Sequence, residues 1–158
     1  MTMPHPTDPH RALERLVGTW SGEERLHPSP WAPQGATATG RVENRSALDG
    51  FVVLQDYEQV REGVPPYRGH GVFRWDPEDR SYVLDWYDSM GGGPTAFRGQ
   101  FLDGVLSLGA DQAHGPTRAS FDFREADRYR YRMEVSPDGT HWHPVMEGSY
   151  RRVTPTGR

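Results

Sequence analysis

The 158-residue chain contains no cysteine and no lysine. Without cysteine there can be no disulfide, thiolate metal site or cysteine nucleophile. All 18 basic residues are arginine, which excludes lysine Schiff-base chemistry and a Walker-type phosphate loop. It also suits a GC-rich, bacterial genome, because lysine codons are AT-rich. No apolar run approaches the length of a membrane-crossing helix. The start "MTMPHPTDPHRALERLVG" has no basic region followed by an apolar one, so no secretory signal is expected and the expected location is cytoplasmic. No serine stands in a Gly-x-Ser-x-Gly elbow. A formal net charge of −4 and a pI near 5.9 argue against a nucleic-acid partner.

Hydrophobic residues are only 34% of the chain, and mean hydropathy is −0.82. Disorder is opposed by the 5 Trp, 7 Tyr and 6 Phe, which are spread along the sequence. A chain of this length buries roughly 70% of its unfolded surface as one domain and needs no staples. Residues 1–10 carry three prolines and no periodicity, and read as a flexible tail before a single domain over 11–158. Asp8 is placed to cap a short helix from Pro9, with Leu13, Leu16 and Val17 on one face and Gly18 as its stop.

Beyond Gly18 no helical period survives. Extended runs are expected at about 19–26, 36–46, 51–60, 67–75, 81–88, 95–102, 104–109, 117–124, 128–136 and 141–153. The segments "LDG", "REGVPP", "DPEDR", "SMGGGP", "DG" and "SPDGTH" separate them with antiparallel turn chemistry. Alternation gives each strand one wet face. Arg128, Arg130, Arg132 and Glu134 oppose Tyr129, Tyr131, Met133 and Val135, and Arg118, Ser120 and Asp122 oppose Ala119, Phe121 and Phe123. About ten short strands at steady spacing predict an all-β sandwich or barrel.

The short helix followed by Gly18-Thr19-Trp20 at the head of many antiparallel strands resembles the calycin superfamily of lipocalins, fatty-acid-binding proteins and nitrobindin-like proteins. Six segments in order, "GTWSGEE", "LDGFVVLQDYEQ", "YRGHGVFRWDP", "YVLDWYDSMG", "SPDG" and "MEGSYRR", resemble more closely a bacterial lipocalin-like domain family of unknown function. The resemblance implies a ten-stranded antiparallel barrel with Trp20 at its closed end, under an arginine of the last strand, Arg151 or Arg152. It also implies, through nitrobindin-like barrels, that haem on a late-strand histidine (His141 or His143) is the alternative to a protein without cofactor.

Several residues are candidates for the interior. Gln55 and Tyr57 share a strand face opposite Asp56 and Glu58, so they are expected to point inward, to orient a ligand or to bond to each other. His70 sits between two glycines and can contact a ligand, although alternation groups it with Arg68 and Arg74 and so with the outer wall or rim. Trp86, Tyr87 and Met90 flank a glycine-rich loop suited to a barrel mouth, while Asp88 reads as a turn former. His141 and His143 have metal-ligand spacing but no evident third ligand. Glu24 and Glu147 are expected on inner faces, where a buried carboxyl either pairs with arginine or serves as an acid–base group. The leading expectation is a binding protein for a small, mainly apolar molecule, with no membrane span and no nucleic-acid partner. Its walls would come from Phe121, Phe123, Tyr129, Tyr131 and Met133, and its orienting groups from Gln55, Tyr57 and His70. The same residues are compatible with an acid–base enzyme that uses an interior Glu or His, and with a self-filled barrel in a structural role.

Overall fold

The computed structural model describes residues 1–30 and 32–154; Trp31 and the last four residues of the expected domain, 155–158, lie outside the described residues. Ten antiparallel strands form one closed barrel in which each strand pairs with its sequence neighbours and the first pairs with the last. They are β1 (Gly18–Leu26), β2 (Ala36–Ala47), β3 (Val52–Val60), β4 (Tyr67–Asp76), β5 (Ser81–Asp88), β6 (Thr95–Leu102), β7 (Val105–Gln112), β8 (Gly115–Asp122), β9 (Arg128–Val135) and β10 (His143–Arg152). The meander follows from the punctuation. Asp103 and Gly104, both at positive φ (51° and 82°), make the two-residue turn between β6 and β7, as Asp-Gly chemistry dictates.

Closure decides between barrel and sandwich, which alternation alone could not. The seam runs from Trp20 opposite Arg152 to Leu26 opposite Met146. With every edge paired, the one-in, one-out pattern leaves a single interior. Arginines line the wet face of β9, and Tyr129, Tyr131 and Met133 line its inner face.

One end is a filled floor. A single helical turn, α1 (Asp8–Ala12), runs into a 3-10 turn over Leu13–Leu16, both too short to hold themselves and so fixed by packing. Thr7 occupies the cap position expected of Asp8, with its backbone N–H donating 2.9 Å to His10 Nδ1. The expected tail therefore ends early: His10 packs edge-on to Phe51, and the Pro9 carbonyl accepts from the Tyr82 hydroxyl. Leu13 and Leu16 are buried against Trp20, Val42, Val53, Phe73, Phe121, Phe123 and Tyr129.

Trp20 is the centre of that floor. It is wholly buried, its indole N–H donates 3.0 Å to the Leu16 carbonyl, and its ring meets Phe123 and Tyr129 edge-on. Of the two candidate arginines, Arg152 lies 4.3 Å above the indole and also donates 2.6 Å to the Val17 carbonyl. Arg151 is exposed on the outer face. Gly18 is required twice over. Its φ of +143° suits only glycine, and a Cβ there would overlap the Arg152 guanidinium.

Candidate functional site

The interior divides into two halves of different character. Below, aromatic rings fill the space against Trp20. Above, at the end where the β3–β4 and β5–β6 loops lie, Tyr57, Trp86, Ala110 and Tyr131 pack against the core yet remain partly exposed. Tyr67 and Met133 complete this wall from β4 and β9 and are also only partly buried. Such inward-facing aromatics, partly open to solvent at one end of the barrel, form a shallow cup.

Glycines shape the cup. A Cβ at Gly69 would come within 3.0 Å of Trp86 Cε2, and one at Gly71 within 3.2 Å of Trp86 Cε3, so the indole lies flat against bare backbone. Its N–H donates 3.2 Å to Asp88, which also accepts 2.9 Å from the Tyr67 hydroxyl. Asp88 is thus more than the turn former expected: it holds two rings of the mouth. Tyr57 stands between them, 6.0 Å from the Tyr67 centroid and 6.2 Å from that of Trp86.

At the base of the cup is Glu24, 2% exposed. Its Oε2 accepts from the Tyr150 hydroxyl and, at 2.7 Å, from the Tyr57 hydroxyl; its Oε1 accepts 3.0 Å from Gln59 Nε2. Gly40 faces this carboxyl from β2, where any side chain would overlap Glu24 Oε2. A Cβ at Gly148 would approach the Tyr150 hydroxyl to 2.5 Å. The niche is therefore cut from both neighbouring strands. Burial raises the Glu24 pKa above its ordinary 4.5, and the bonds from Tyr150, Tyr57 and Gln59 oppose that rise without cancelling it. Burial and the nearby carboxyl likewise push the Tyr57, Tyr131 and Tyr150 phenols well above the usual range, so they stay neutral donors.

A titration consequence follows. A carboxyl whose folded pKa is raised lets the native state bind more protons than the unfolded one, so stability falls as pH rises from about 4.5 through the folded value. Glu24→Gln should flatten that fall. The difference between urea-unfolding free energies of wild type and variant, measured from pH 4 to 8, should grow in the variant's favour. A pH-independent difference would contradict the burial of a titrating carboxyl. Asp76 and Asp122, held low by Arg98 and Arg124, act in the opposite sense at more acid pH and cancel in the comparison.

Thr117, inward on β8 beside Ala110 and Val135, is 5% exposed, and its hydroxyl has no hydrogen-bond partner among the described residues. A buried hydroxyl without a partner costs about 1–3 kcal/mol. Thr117→Val keeps the shape and should raise the unfolding free energy by about 1 kcal/mol; an equal loss in chemical denaturation would mean that the hydroxyl is satisfied in solution.

The expected ligand contacts separate into three groups. Tyr57, Trp86, Tyr131 and Met133 meet in the cup. Phe121 and Tyr129, at 6% and 3% exposure, belong to the packed floor together with Phe123. Gln55 is also at the floor, donating 3.0 Å to Asn44, which donates 2.9 Å to the Leu16 carbonyl; it ties the N-terminal turn to the wall. His70 lies on the outer wall, 2.8 Å from Asp56, apart from the interior. Of the other mouth candidates, Tyr87 and Met90 are exposed.

Glu147 is turned outward, contrary to expectation. Val145 is a bulged residue between Pro144 and Met146, and it reverses the alternation, sending Met146 in and Glu147 out to His27 (3.0 Å) and Arg132. His141 is exposed and lies 2.6 Å from Asp138, and His143 is exposed at the first position of β10. No group of three or more metal-ligating side chains occurs among the described residues. Gln59 was findable from its strand face, which it shares with Gln55 and Tyr57. Tyr150 was findable from its place two residues before Arg152, and Tyr67 had no sequence signal beyond an aromatic at a strand start.

An open depression of about 600 Å³ lies over the outward side chains of Arg41, Asp56, Glu58, Arg68 and His70 and reaches Tyr57, Gly69 and Asp88 at the rim of the mouth. Its charges pair among themselves, Arg68 with Glu58 at 3.0 Å and Arg41 with Glu43 at 3.4 Å. Self-paired surface ions of this kind leave little for a ligand, so the cup is the candidate site.

Comparison with known proteins supports the architecture. The Rv2717c protein of M. tuberculosis superposes with a TM-score of 0.70 at 16% identity, covering 94% of this chain and 99% of that one. The S-type phycobiliprotein lyase CPES of Guillardia theta does so at 0.62 and 12% identity, covering 96% and 95%. A de novo designed fluorescence-activating β-barrel reaches 0.50 at 17%, covering 90% and 97%. At these identities the likeness is one of fold. No curated protein matches the chain. A family model does match, over residues 5–152, nearly the whole barrel and the turn that plugs it, and the chain accordingly belongs to the family described as "Protein of unknown function (DUF1579)".

Proposed function

We propose that the protein binds a small, mainly apolar and aromatic molecule in the mouth half of the barrel. The observation that carries this reading is the cup itself: partly exposed Tyr57, Tyr67, Trp86 and Tyr131 above a deeply buried, hydrogen-bonded carboxyl. Apolar walls with a few placed polar groups are the usual composition of a small-molecule site. A self-filled barrel gains nothing from aromatics left partly open, or from a Thr117 hydroxyl with no partner among the described residues. Among fold neighbours, one is a designed fluorescence-activating barrel and another a phycobiliprotein lyase, which supports the reading at the level of the fold alone.

The test is binding of N-phenyl-1-naphthylamine, a neutral aromatic reporter, followed by its fluorescence. Saturable 1:1 enhancement in wild type is expected, with loss in Ala110→Trp, which puts an indole into the cup at an inward, partly buried position. No saturable signal, or an undiminished one in a folded Ala110→Trp variant, would overturn the reading.

A further inference from the structure

Resting on the cup reading, we infer that the favoured occupant is an organic cation, an aromatic or apolar molecule bearing a protonated amine, with the Glu24 carboxylate as its counter-ion. Among the described residues, the three groups that bond Glu24 are neutral, two phenols and a carboxamide, and no cation acts on it. Neutral donors solvate a buried carboxylate but leave its charge uncompensated, and such a charge is costly until a counter-charge arrives. The outer wall shows the contrast. There Glu58, Asp85, Asp122 and Glu134 each have an arginine within 3.0 Å. Around Glu24, the described residues provide neutral donors and no cation.

The surroundings suit such a guest. Tyr57, Tyr67 and Trp86 cluster above the carboxyl, and aromatic faces attract ammonium groups. The titratable groups facing Glu24 are Tyr57 from β3, Tyr129 and Tyr131 from β9 and Tyr150 from β10, all neutral at physiological pH. None can supply positive charge. Gln59 marks where the ammonium would sit. Its amide nitrogen lies 3.0 Å from Glu24 Oε1, 3.1 Å from Tyr57 Oη and 3.5 Å from Met146 Sδ, so one NH2 group already spans the acceptors at the base of the cup. Gln59 and Met146 are unbranched and can swing aside, as the rings cannot.

The experiment is competition against bound N-phenyl-1-naphthylamine by three isosteres: 2-naphthylmethylamine, 2-naphthalenemethanol and 2-naphthoate. At pH 7.5 the amine should displace the reporter at concentrations about tenfold lower than the alcohol, a difference of about 1.4 kcal/mol, with 2-naphthoate weakest. Glu24→Gln should erase the amine's advantage over the alcohol, whereas Gln59→Ala, by removing the competing donor, should increase it. Should Glu24→Gln fail to fold, a wild-type pH series decides. An amine advantage that shrinks on acidification while the alcohol holds steady supports the inference, and a pH-independent one refutes it. Equal displacement by amine and alcohol, or preference for 2-naphthoate, overturns the cation inference and leaves the cup standing. Failure of the reporter to bind overturns both.

Discussion

Trp20→Ala is expected to destabilise the barrel by roughly 3–5 kcal/mol, the range for removing a large aromatic from a core. For a chain of this size that lowers the melting temperature by roughly 10 °C or more. The side chain is wholly buried, so truncation leaves a cavity between Leu16, Phe123, Tyr129 and Tyr150 that rigid strands cannot close. Two polar groups lose a partner at the same time. The Leu16 carbonyl keeps only its bond from Asn44, and the Arg152 guanidinium loses the ring beneath it. Arg152→Ala should cost less, about 1–2 kcal/mol, since it removes the ring contact and the bond to the Val17 carbonyl but leaves the core packed. Urea unfolding followed by tryptophan fluorescence and by circular dichroism measures both. A Trp20→Ala variant within about 1 kcal/mol of wild type would mean that the floor is not held as described.

Gly22→Ala should be nearly as damaging although it adds one methyl group. A Cβ at Gly22 would overlap the Ser149 carbonyl oxygen and come within 2.8 Å of the Tyr150 Cα. Both are backbone of β10, so no side chain can swing away, and the β1–β10 seam itself must part. Overpacking against fixed structure costs about 1–3 kcal/mol and occasionally more. The upper end is expected here, because the seam alone joins the first strand to the last. Gly91→Ala is the control: its φ of +84° strains an alanine, but nothing lies near its Cβ. Amide hydrogen exchange should show protection lost along Glu23–Leu26 and Met146–Ser149 in Gly22→Ala. Unchanged protection there would refute the close approach.

Much of the fold was legible because its signals are local. Asp-Gly and proline turns end strands whatever lies around them, and period-two alternation sets the faces, so the ten expected strands fall within a few residues of those observed. The Trp20–Arg pair followed from resemblance, and geometry then chose Arg152. Depth along the barrel axis, by contrast, has no local signature. Gln55, Phe121 and Tyr129 point inward as expected, but strand stagger places them beside the N-terminal turn and not in the cup. Glu147 was misplaced because one bulged residue reverses parity, and nothing in "HPVMEGSY" marks Val145 as that residue. The base of the cup is drawn from β1, β3 and β10, up to 126 residues apart, and only closure brings those strands together.

That closure has a consequence for how the molecule comes into being. Nine of the ten strand pairings join hairpin neighbours and can form as the chain emerges. The tenth waits for β10, and the bond from Arg152 to the Val17 carbonyl spans 135 residues. Until that strand is made, β1 and β9 both present open edges, Trp20 lacks its cover, and Glu24 lacks the Tyr150 hydroxyl. Non-local closure of this kind is slow and exposes strand edges to aggregation meanwhile. The floor and the carboxyl niche are therefore completed by a single event, and a nascent chain stopped short of Gly148 would lack both the Arg152 cover of Trp20 and the Tyr150 bond to Glu24.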